Sequence, residues 1–561
     1  MKVVLAALNS KFIHSNLAIR YLKKYTEDLD YDCILKEYSI NDNMDNVLYD
    51  IIKQRPKVIG FSVYIWNVEF VKKLSRLIRL VDEEITIFYG GPEISFNGEE
   101  YLKENYTDYI INGEGEQTYK EYIEALLNNY DMHNVRGILY LEKGNIVNTG
   151  NRENLDMNNV VFPYDNLDEL ENKIVYYEAS RGCPFSCKYC LSSVDRNVRF
   201  LNLNRVLKEL KFFVDNEVKL VKFVDRTFNI NKEFSIGIWS YLIKLGGKTR
   251  FHFEISGDLL DEEEIALLKT APKGLFQFEV GVQTTNPKIL ENINRSSDLI
   301  RLDSNICEIR SQGNISQHLD LIAGLPGEDI GSFITSFNHV YNLNIEEIQL
   351  GFLKVLKGSP MHSEHKEWKT VYSPYPPYEV LKTSTMSYED INRLKRVEQV
   401  VDKYYNSHKF NLSIQYLLSR FQSSFELFYE LGEFFYEKNY FTISLSNAGY
   451  YQALLQFYEN KVGEDSHIFL QFIKFDYLKF NSKRGIPGFI RGEIEKKEKN
   501  EIKILYYKMP KNTNTKHVYI DKFTVDIEEY TNENLLVLDN IYVIFNQDNI
   551  DDIQFIKMNK I

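Results

Sequence analysis

Between an apolar run, Ile174-Val175-Tyr176-Tyr177, and an amphipathic stretch from Leu203 to Phe213, the chain carries Arg181-Gly182-Cys183-Pro184-Phe185-Ser186-Cys187-Lys188-Tyr189-Cys190-Leu191. The apolar run predicts a strand, the amphipathic stretch a helix, and the cysteines fall in the loop between them. A reactive loop after the first strand of an α/β barrel is where such folds keep their chemistry. The segment therefore constrains the fold as well as the reaction. Three thiolates at a C-x3-C-x2-C spacing can hold three corners of a cubic [4Fe–4S] cluster and leave the fourth iron free for a small molecule. Structural zinc would need a fourth ligand close by in a closed tetrahedral site, and none is offered. The four-cysteine ferredoxin runs differ again, because every iron there is capped. Buried cysteines packed as small apolar residues are the bland alternative. Free cysteines rarely cluster so tightly, and three of the chain's five lie in this one loop.

Composition bounds the rest. At 561 residues and 44% apolar content the chain is long enough for three domains with ordinary cores. Cys33 and Cys307 stand alone and are expected in the core, so no disulfide framework is expected and a reducing cytoplasm is the expected location. The segment Met1-Lys2-Val3-Val4-Leu5-Ala6-Ala7-Leu8 reads as a first β-strand and not as a signal peptide. No apolar run approaches the ~18 residues of a membrane helix. The net charge of −13 argues against a large nucleic-acid footprint. Abundant Asn, Ile, Lys and Tyr correlate with AT-rich genomes, often those of anaerobes.

Over residues 1–140 strand and helix signals alternate, as in an open parallel sheet. Strands are predicted over Lys2–Leu8, Cys33–Tyr38, Val58–Val63, Ile85–Tyr89 and Tyr109–Ile111, and helices over Asn16–Thr26 and Val68–Leu80. Ligands in such sheets bind beyond the carboxyl ends of the strands, where Ser62, Gly90, Gly91 and Gly113 fall. Residues 170–372 continue the βα alternation, with polar side chains in and after apolar strands: Asp225-Arg226-Thr227, His252, Glu254, Glu279, Gln283, His318, Asp320 and Gln349. Charges there are costly unless paired or bound to ligand.

The cysteine motif closely resembles that of the radical S-adenosylmethionine (SAM) superfamily. The resemblance implies that SAM chelates the open iron through its amino and carboxylate groups and is cleaved reductively to a 5′-deoxyadenosyl radical. Ahead of it, Ser62…Gly90-Gly91-Pro92-Glu93…Gly113-Glu114-Gly115-Glu116 is similar to the cobalamin-binding domain of the cobalamin-dependent class. That likeness implies cobalamin held by Ser62, Gly90, Gly91 and Gly113. One departure is plain. Domains that ligate cobalt carry D-x-H-x-x-G after the first strand, whereas this loop reads Phe12-Ile13-His14-Ser15-Asn16-Leu17. A loop or capping role is expected for His14, and many relatives hold cobalamin without a protein histidine.

Within the barrel, Phe253-Glu254-Ile255-Ser256, Gly281-Val282-Gln283…Asn294-Arg295 and Asp320-Leu-Ile-Ala-Gly-Leu-Pro-Gly327 are similar to the pattern of oxygen-independent coproporphyrinogen dehydrogenases. The same pattern spreads through the branch that includes methylthiotransferases. It implies that Glu254, Gln283, Arg295 and Asp320 contact SAM: Arg295 its carboxylate, Glu254 its amino group, Gln283 and Asp320 ribose hydroxyls or nearby polar atoms. Tyr189 would pack near adenine.

The expected fold is α/β: a Rossmann-like (flavodoxin-like) cobalamin-binding domain over 1–140, a linker over 141–169, a radical SAM partial TIM barrel over 170–372, and a mixed α+β accessory domain over 376–561. In that last part helices are expected over Tyr388–Tyr405 and Asn411–Leu431, a turn at Gly485–Gly488, and strands at His517–Ile520 and Asn540–Phe545. The leading functional expectation is a cobalamin-dependent radical SAM methyltransferase acting on an unactivated carbon or phosphorus centre of a small-molecule or natural-product substrate. A flavodoxin or ferredoxin-type protein would supply its electron. Radical rearrangement or another non-methylating reaction is the alternative. RNA methylthiolation fits less well, because the N-terminal domain offers only Cys33 for a second cluster and residues 521–561 carry more acids than bases. A cobalamin sensor with a relic barrel would have no reason to keep the cysteines together with Glu254, Arg295 and Asp320.

Overall fold

The structure, a computed structural model, describes residues 1–481, 485–492, 494–508, 518–546 and 549–557. Residues 1–346 with 350–388 form one compact unit, and 347–349 with 389–561 a second. The two leading domains expected from sequence share the first unit.

That unit opens with β1 (Lys2–Asn9), α1 (Leu17–Tyr25), β2 (Asp32–Ser39), α2 (Met44–Ile52), β3 (Val58–Ser62), α3 (Val68–Val81), β4 (Thr86–Gly90), α4 (Gly98–Lys103), β5 (Tyr109–Ile111), α5 (Glu116–Asn128), β6 (Ile138–Glu142) and β7 (Asn145–Asn148). The sheet order is β2-β1-β3-β4-β5-β6-β7, parallel through β5 and closed by an antiparallel pair. Strand β1 reads as an unbroken apolar run because helices cover both faces. Val4, Ala6 and Leu8 enter one core while Val3, Leu5 and Ala7 enter the other, as a period of two demands. The sheet runs past residue 140, so the segment expected as a linker begins with its last strand. The strand order reverses between β1 and β3. Asn16 caps α1 through its side chain, accepting from the Ile19 N–H at 3.1 Å, and so fixes where the β1 loop ends.

The chain then enters β8 (Val175–Tyr177), β9 (Ser180–Arg181), β10 (Arg199–Phe200), α6 (Leu203–Asp215), β11 (Leu220–Phe223), α7 (Lys232–Leu245), β12 (Arg250–Ile255), α8 (Glu262–Leu268), β13 (Phe276–Gln283), α9 (Pro287–Asn292), α10 (Leu299–Gln312), β14 (Ser316–Ala323), α11 (Ile330–Asn342) and β15 (Glu347–Phe352). Strands 8, 11, 12, 13, 14 and 15 form a six-stranded sheet in chain order, the winding of a partial barrel. Their outward residues pack under the helices: Trp239 of α7 lies against Phe228, Phe253 and Phe278. Their inward residues are the polar ones, His252 buried and Lys222, Glu279, His318 and Asp320 half-buried. Lys222 pairs with Glu279 at 3.1 Å, His252 with Glu279 at 3.3 Å and His318 with Asp320 at 3.4 Å. Cys307 departs from expectation. The buried stripe of α10 is Leu302, Asn305, Ile306 and Ile309, and Cys307 falls on its exposed face.

In the second unit, helices run over Tyr388–Val401, Asn411–Leu418, Ser424–Glu437, Asn447–Lys461 and Ser466–Phe480. The single helix expected over 411–431 is two, because Ser423 caps the second by accepting from the Glu426 N–H at 3.2 Å. An antiparallel sheet joins Val518–Phe523, Ile541–Asn546 and Ile553–Lys557. Of the strand expected at 517–520, His517 lies outside the described residues. The aromatic density packs as core, with Tyr404, Phe410 and Tyr451 in one contact chain.

Candidate active site

Beyond the carboxyl ends of both sheets lie two adjoining cavities. The smaller, about 160 Å³, is lined by Cys183, Cys187 and Cys190 together with Tyr189, Glu254, Gln283, Arg295 and Asp320. The loop that carries the cysteines is pinned from several sides. The Cys183 N–H donates to the Asp195 carbonyl at 2.9 Å and the Lys188 N–H to Ile293 O at 2.9 Å. Asn294 Nδ2 donates to Ser186 Oγ at 2.7 Å, and Lys188 pairs with Glu364 at 2.8 Å. Among the described residues no three His, Cys, Asp or Glu side chains converge on one point as a single metal ion requires. Cys183 and Cys187 are buried and Cys190 is half-buried. Burial pushes the Cys187 thiol up, and the Arg295 guanidinium, 3.8 Å from its sulfur, pulls it back. Three soft donors without a fourth fit a cluster that leaves one iron open.

The other residues fit a polar ligand of SAM's kind. Gln283 Oε1, Asp320 Oδ1 and Arg295 Nε are buried without a hydrogen-bond partner, a condition that costs ~1–3 kcal/mol per group unless something fills it. Gln283 has φ 70°, in the left-handed region that a non-glycine residue adopts under constraint. A register shift between Gly281 and Gln283 produces this turn. A Cβ at Gly281 would lie 2.2 Å from Gln283 Nε2, so the side-chain position depends on that glycine. Arg295 donates through Nη1 to the Tyr189 hydroxyl at 3.3 Å and through Nη2 to the Gly281 carbonyl. Burial, then the neighbouring Glu279 and Glu254, hold the Asp320 carboxyl well above the usual range. Burial raises Glu254 too, against the pull of Arg226.

The larger cavity, about 670 Å³, is lined by all four residues expected to hold cobalamin, Ser62, Gly90, Gly91 and Gly113. It opens at the β1/β3 switch point, the crevice that doubly wound sheets offer to ligands. Ser62 Oγ accepts from Asn16 Nδ2 at 3.0 Å. Gly91 has φ 122°, and a Cβ there would come within 2.5 Å of the Val63 carbonyl. Leu5, Leu22, Phe88 and Ile111 add an apolar part to its lining. A crevice lined by apolar side chains together with polar groups such as Asn9, Ser62 and Asn16 fits an amphipathic cofactor such as cobalamin. His14 lines the same cavity, but its Nδ1 lies 2.6 Å from the Tyr176 hydroxyl and its backbone bridges to Ile174 of the barrel. Burial and then Lys11 lower its pKa.

Sequence reasoning missed what joins the two sites. Arg181, beside the cysteines, pairs with Glu178 at 2.9 Å, with Glu116 at 2.5 Å and with Glu114 at 3.6 Å. Arg199 holds Glu114 from the other side at 2.6 Å. The acids of Gly113-Glu114-Gly115-Glu116 thus bind the cysteine segment. The signal was an arginine preceding the motif and two acids in the β5 loop, but nothing in the sequence pairs them. Ser192 and Arg226 line both cavities.

The comparisons agree with this layout. A B12 binding domain model matches residues 3–123, a radical SAM superfamily model residues 177–340, and a protein of unknown function (DUF4080) model residues 366–545. The chain thus combines an N-terminal B12-binding domain, a radical SAM domain and a C-terminal domain of unknown function, the composition of a radical SAM enzyme. Its cofactors are cobalamin, a [4Fe–4S] cluster and SAM. An uncharacterized methyltransferase of Pyrococcus horikoshii, PH0819, is 24% identical over 53% of this chain and 67% of its own length. The cobalamin-dependent radical SAM methyltransferase TokK of Streptomyces tokunonensis is 24% identical over 55% of this chain; the chain spans about half, 49%, of TokK. The solved structure of the cobalamin-dependent SAM radical enzyme OxsB, with aqua-cobalamin and SAM bound, aligns with a TM-score of 0.57 at 16% identity, covering 85% of this chain and 78% of that one. No helix among the described residues is long and apolar enough to cross a membrane.

Proposed function

We propose that this protein is a cobalamin-dependent radical SAM methyltransferase acting on an unactivated carbon or phosphorus centre of a small-molecule or natural-product substrate. The observation that carries the reading is the wall shared by the two cavities, at Ser192 and Arg226, between the cysteines and the cobalamin-type crevice. When bound, the cluster and SAM supply radical chemistry and cobalamin supplies a transferable methyl group.

The chain's own share is placement. Cys183, Cys187 and Cys190 hold the iron. Arg295, fixed by Gly281 O and Tyr189, offers a guanidinium for a carboxylate. Glu254 accepts from an ammonium, while Gln283 and Asp320 offer buried acceptors for hydroxyls or nearby polar atoms. Ser62, Gly90, Gly91 and Gly113 let the larger cofactor approach backbone closely. The methyltransferase names of PH0819 and TokK support methyl transfer, and a flavodoxin or ferredoxin-type protein is the proposed electron donor.

The test is anaerobic reconstitution with iron, sulfide, hydroxocobalamin and SAM, read by visible and electron-paramagnetic-resonance spectra and by methyl-labelled products. A cluster signal perturbed by SAM, with about one cobalamin retained per chain, is expected. A cluster without retained cobalamin would remove methyl transfer, and no cluster would remove the radical reading.

A further inference from the structure

Each basic side chain lining the two cavities has a hydrogen-bonding partner among the described residues except one. Arg181 is spent on Glu178, Glu116 and Glu114. Arg295 is spent on Gly281 O, the Tyr189 hydroxyl and Cys187. His14 is engaged by Tyr176. Arg226 differs. It follows β11, in Val224-Asp225-Arg226-Thr227, and Asp225 anchors that turn by accepting from the Ala179 N–H at 3.0 Å. The Arg226 guanidinium makes no hydrogen bond among the described residues. Its nearest acid is Glu254 at 3.8 Å, and its side chain is 55% exposed.

A guanidinium with all five donors unspent is a planar fork that matches a carboxylate or phosphate oxyanion. Its location decides whose oxyanion that is. Arg226 lines both cavities, and a methyl acceptor has to lie between them. Arg181 and Arg199 are shared among Glu114, Glu116, Glu178 and Asp195, so they offset the acids of the larger cavity only in part and leave Arg226 as its exposed cation. In the smaller cavity, which Glu279 and Asp320 also line, Glu254 is the competitor within ion-pair distance. An ammonium bound there would neutralise it and release Arg226 from its one nearby carboxylate.

Resting on the methyltransferase reading, we propose that Arg226 anchors an oxyanion carried by the substrate, a carboxylate or a phosphate, at the junction of the two cavities. The substrate class is therefore an anionic small molecule whose reacting centre lies within one side chain's reach of its acid group.

The experiment uses the full chain reconstituted with cluster, cobalamin and SAM, with inorganic phosphate as probe. Cofactor content is measured first. If the wild type holds no cluster or no cobalamin, the methyltransferase reading fails at that step and this inference falls with it. With cofactors present, the phosphorus-31 relaxation of phosphate is followed with cobalamin in its paramagnetic cobalt(II) state, and propionate is added as a carboxylate competitor. The expected result is saturable phosphate binding, displaced by propionate and weakened about tenfold or more in Arg226→Gln, with Arg226→Lys retaining part of it. SAM affinity, cobalamin content and melting temperature stay at wild-type values. The proposal is overturned if phosphate shows no saturable site, or binds Arg226→Gln as it binds the wild type. It is equally overturned if Arg226→Gln loses SAM or cobalamin, because the arginine then serves a cofactor.

Discussion

Replacing Arg181 by methionine removes the cation that three carboxylates share while keeping most of the side-chain volume. Arg181 is 13% exposed, and Glu178 and Glu116 are 16% and 6% exposed, so the charges are largely out of water. Unit charges with centres about 4 Å apart attract by about 4 kcal/mol at an effective dielectric of ~20. Two close partners lose that attraction, and Glu114 keeps Arg199. The desolvation penalty of the guanidinium disappears as well, which leaves the ~3–5 kcal/mol typical of breaking a buried pair from one side. At about 2.1 cal/mol/K of unfolding entropy per residue, a unit of ~385 residues shifts its midpoint by roughly 1.2 °C per kcal/mol. Differential scanning calorimetry at pH 8 should therefore show a fall of about 4–6 °C in the first unit. The pH dependence fixes the sign. Burial already raises Glu178, opposed by Arg181. A carboxyl raised in the folded state favours folding below its unfolded pKa and loses that contribution as pH rises through its folded value. Removing Arg181 raises it further, so the defect grows from pH 5 to pH 8. Glu178→Gln in the same background should recover part of the loss. A defect below about 1 kcal/mol, or one larger at pH 5, would refute the reasoning.

Alanine at any one of Cys183, Cys187 or Cys190 should abolish the cluster's absorption and SAM cleavage while cobalamin content stays unchanged, checked on the reconstituted protein. Gly91→Ala should lower stability by more than about 1 kcal/mol, because φ is 122° and the Val63 carbonyl would lie 2.5 Å from the new methyl; cobalamin retention, read by spectrophotometry, should fall with it. His252 is held down at about 4 by burial and Lys222, so folding stability should decline as pH falls from about 6.5 through 4. His252→Asn should flatten that slope in urea titrations. Asp320→Asn should leave the melting temperature equal or higher, since the carboxyl's burial penalty disappears, while SAM affinity drops about tenfold by isothermal titration.

Much of the site was legible because its parts are local. The cysteine spacing states its chemistry without any tertiary knowledge, and the glycines and polar residues at strand ends follow from the periodicity of the strands. Tertiary pairings were not legible. Arg181 finds acids delivered by a loop of the other sheet, and no periodicity links positions 114 and 181. Gln283 was expected on its resemblance, but the bulge that turns it is a property of its register with β14. His14 could be read as a departure from a ligand motif, yet its contact with the Tyr176 hydroxyl needs the barrel strand in place. Cys307 was misplaced because an isolated cysteine was weighed by type instead of by its position on the stripe of α10. The break at residues 419–423 was missed because Ser423 is one serine among many until it is seen capping a helix.

The ion pairs of Arg181 also bear on how such a protein can be recombined. A crossover anywhere between residues 128 and 175 would take the two acids of the β5 loop from one parent and the arginine and Glu178 from another. Where the second parent lacks the matching residues, such a chimaera inherits a buried charge without its counter-charge, although both halves carry their own complete cofactor loops. The exchangeable module in this architecture is therefore the pair of domains together, and libraries that shuffle the crevice against different barrels have to carry residues 114, 116, 178 and 181 as one block.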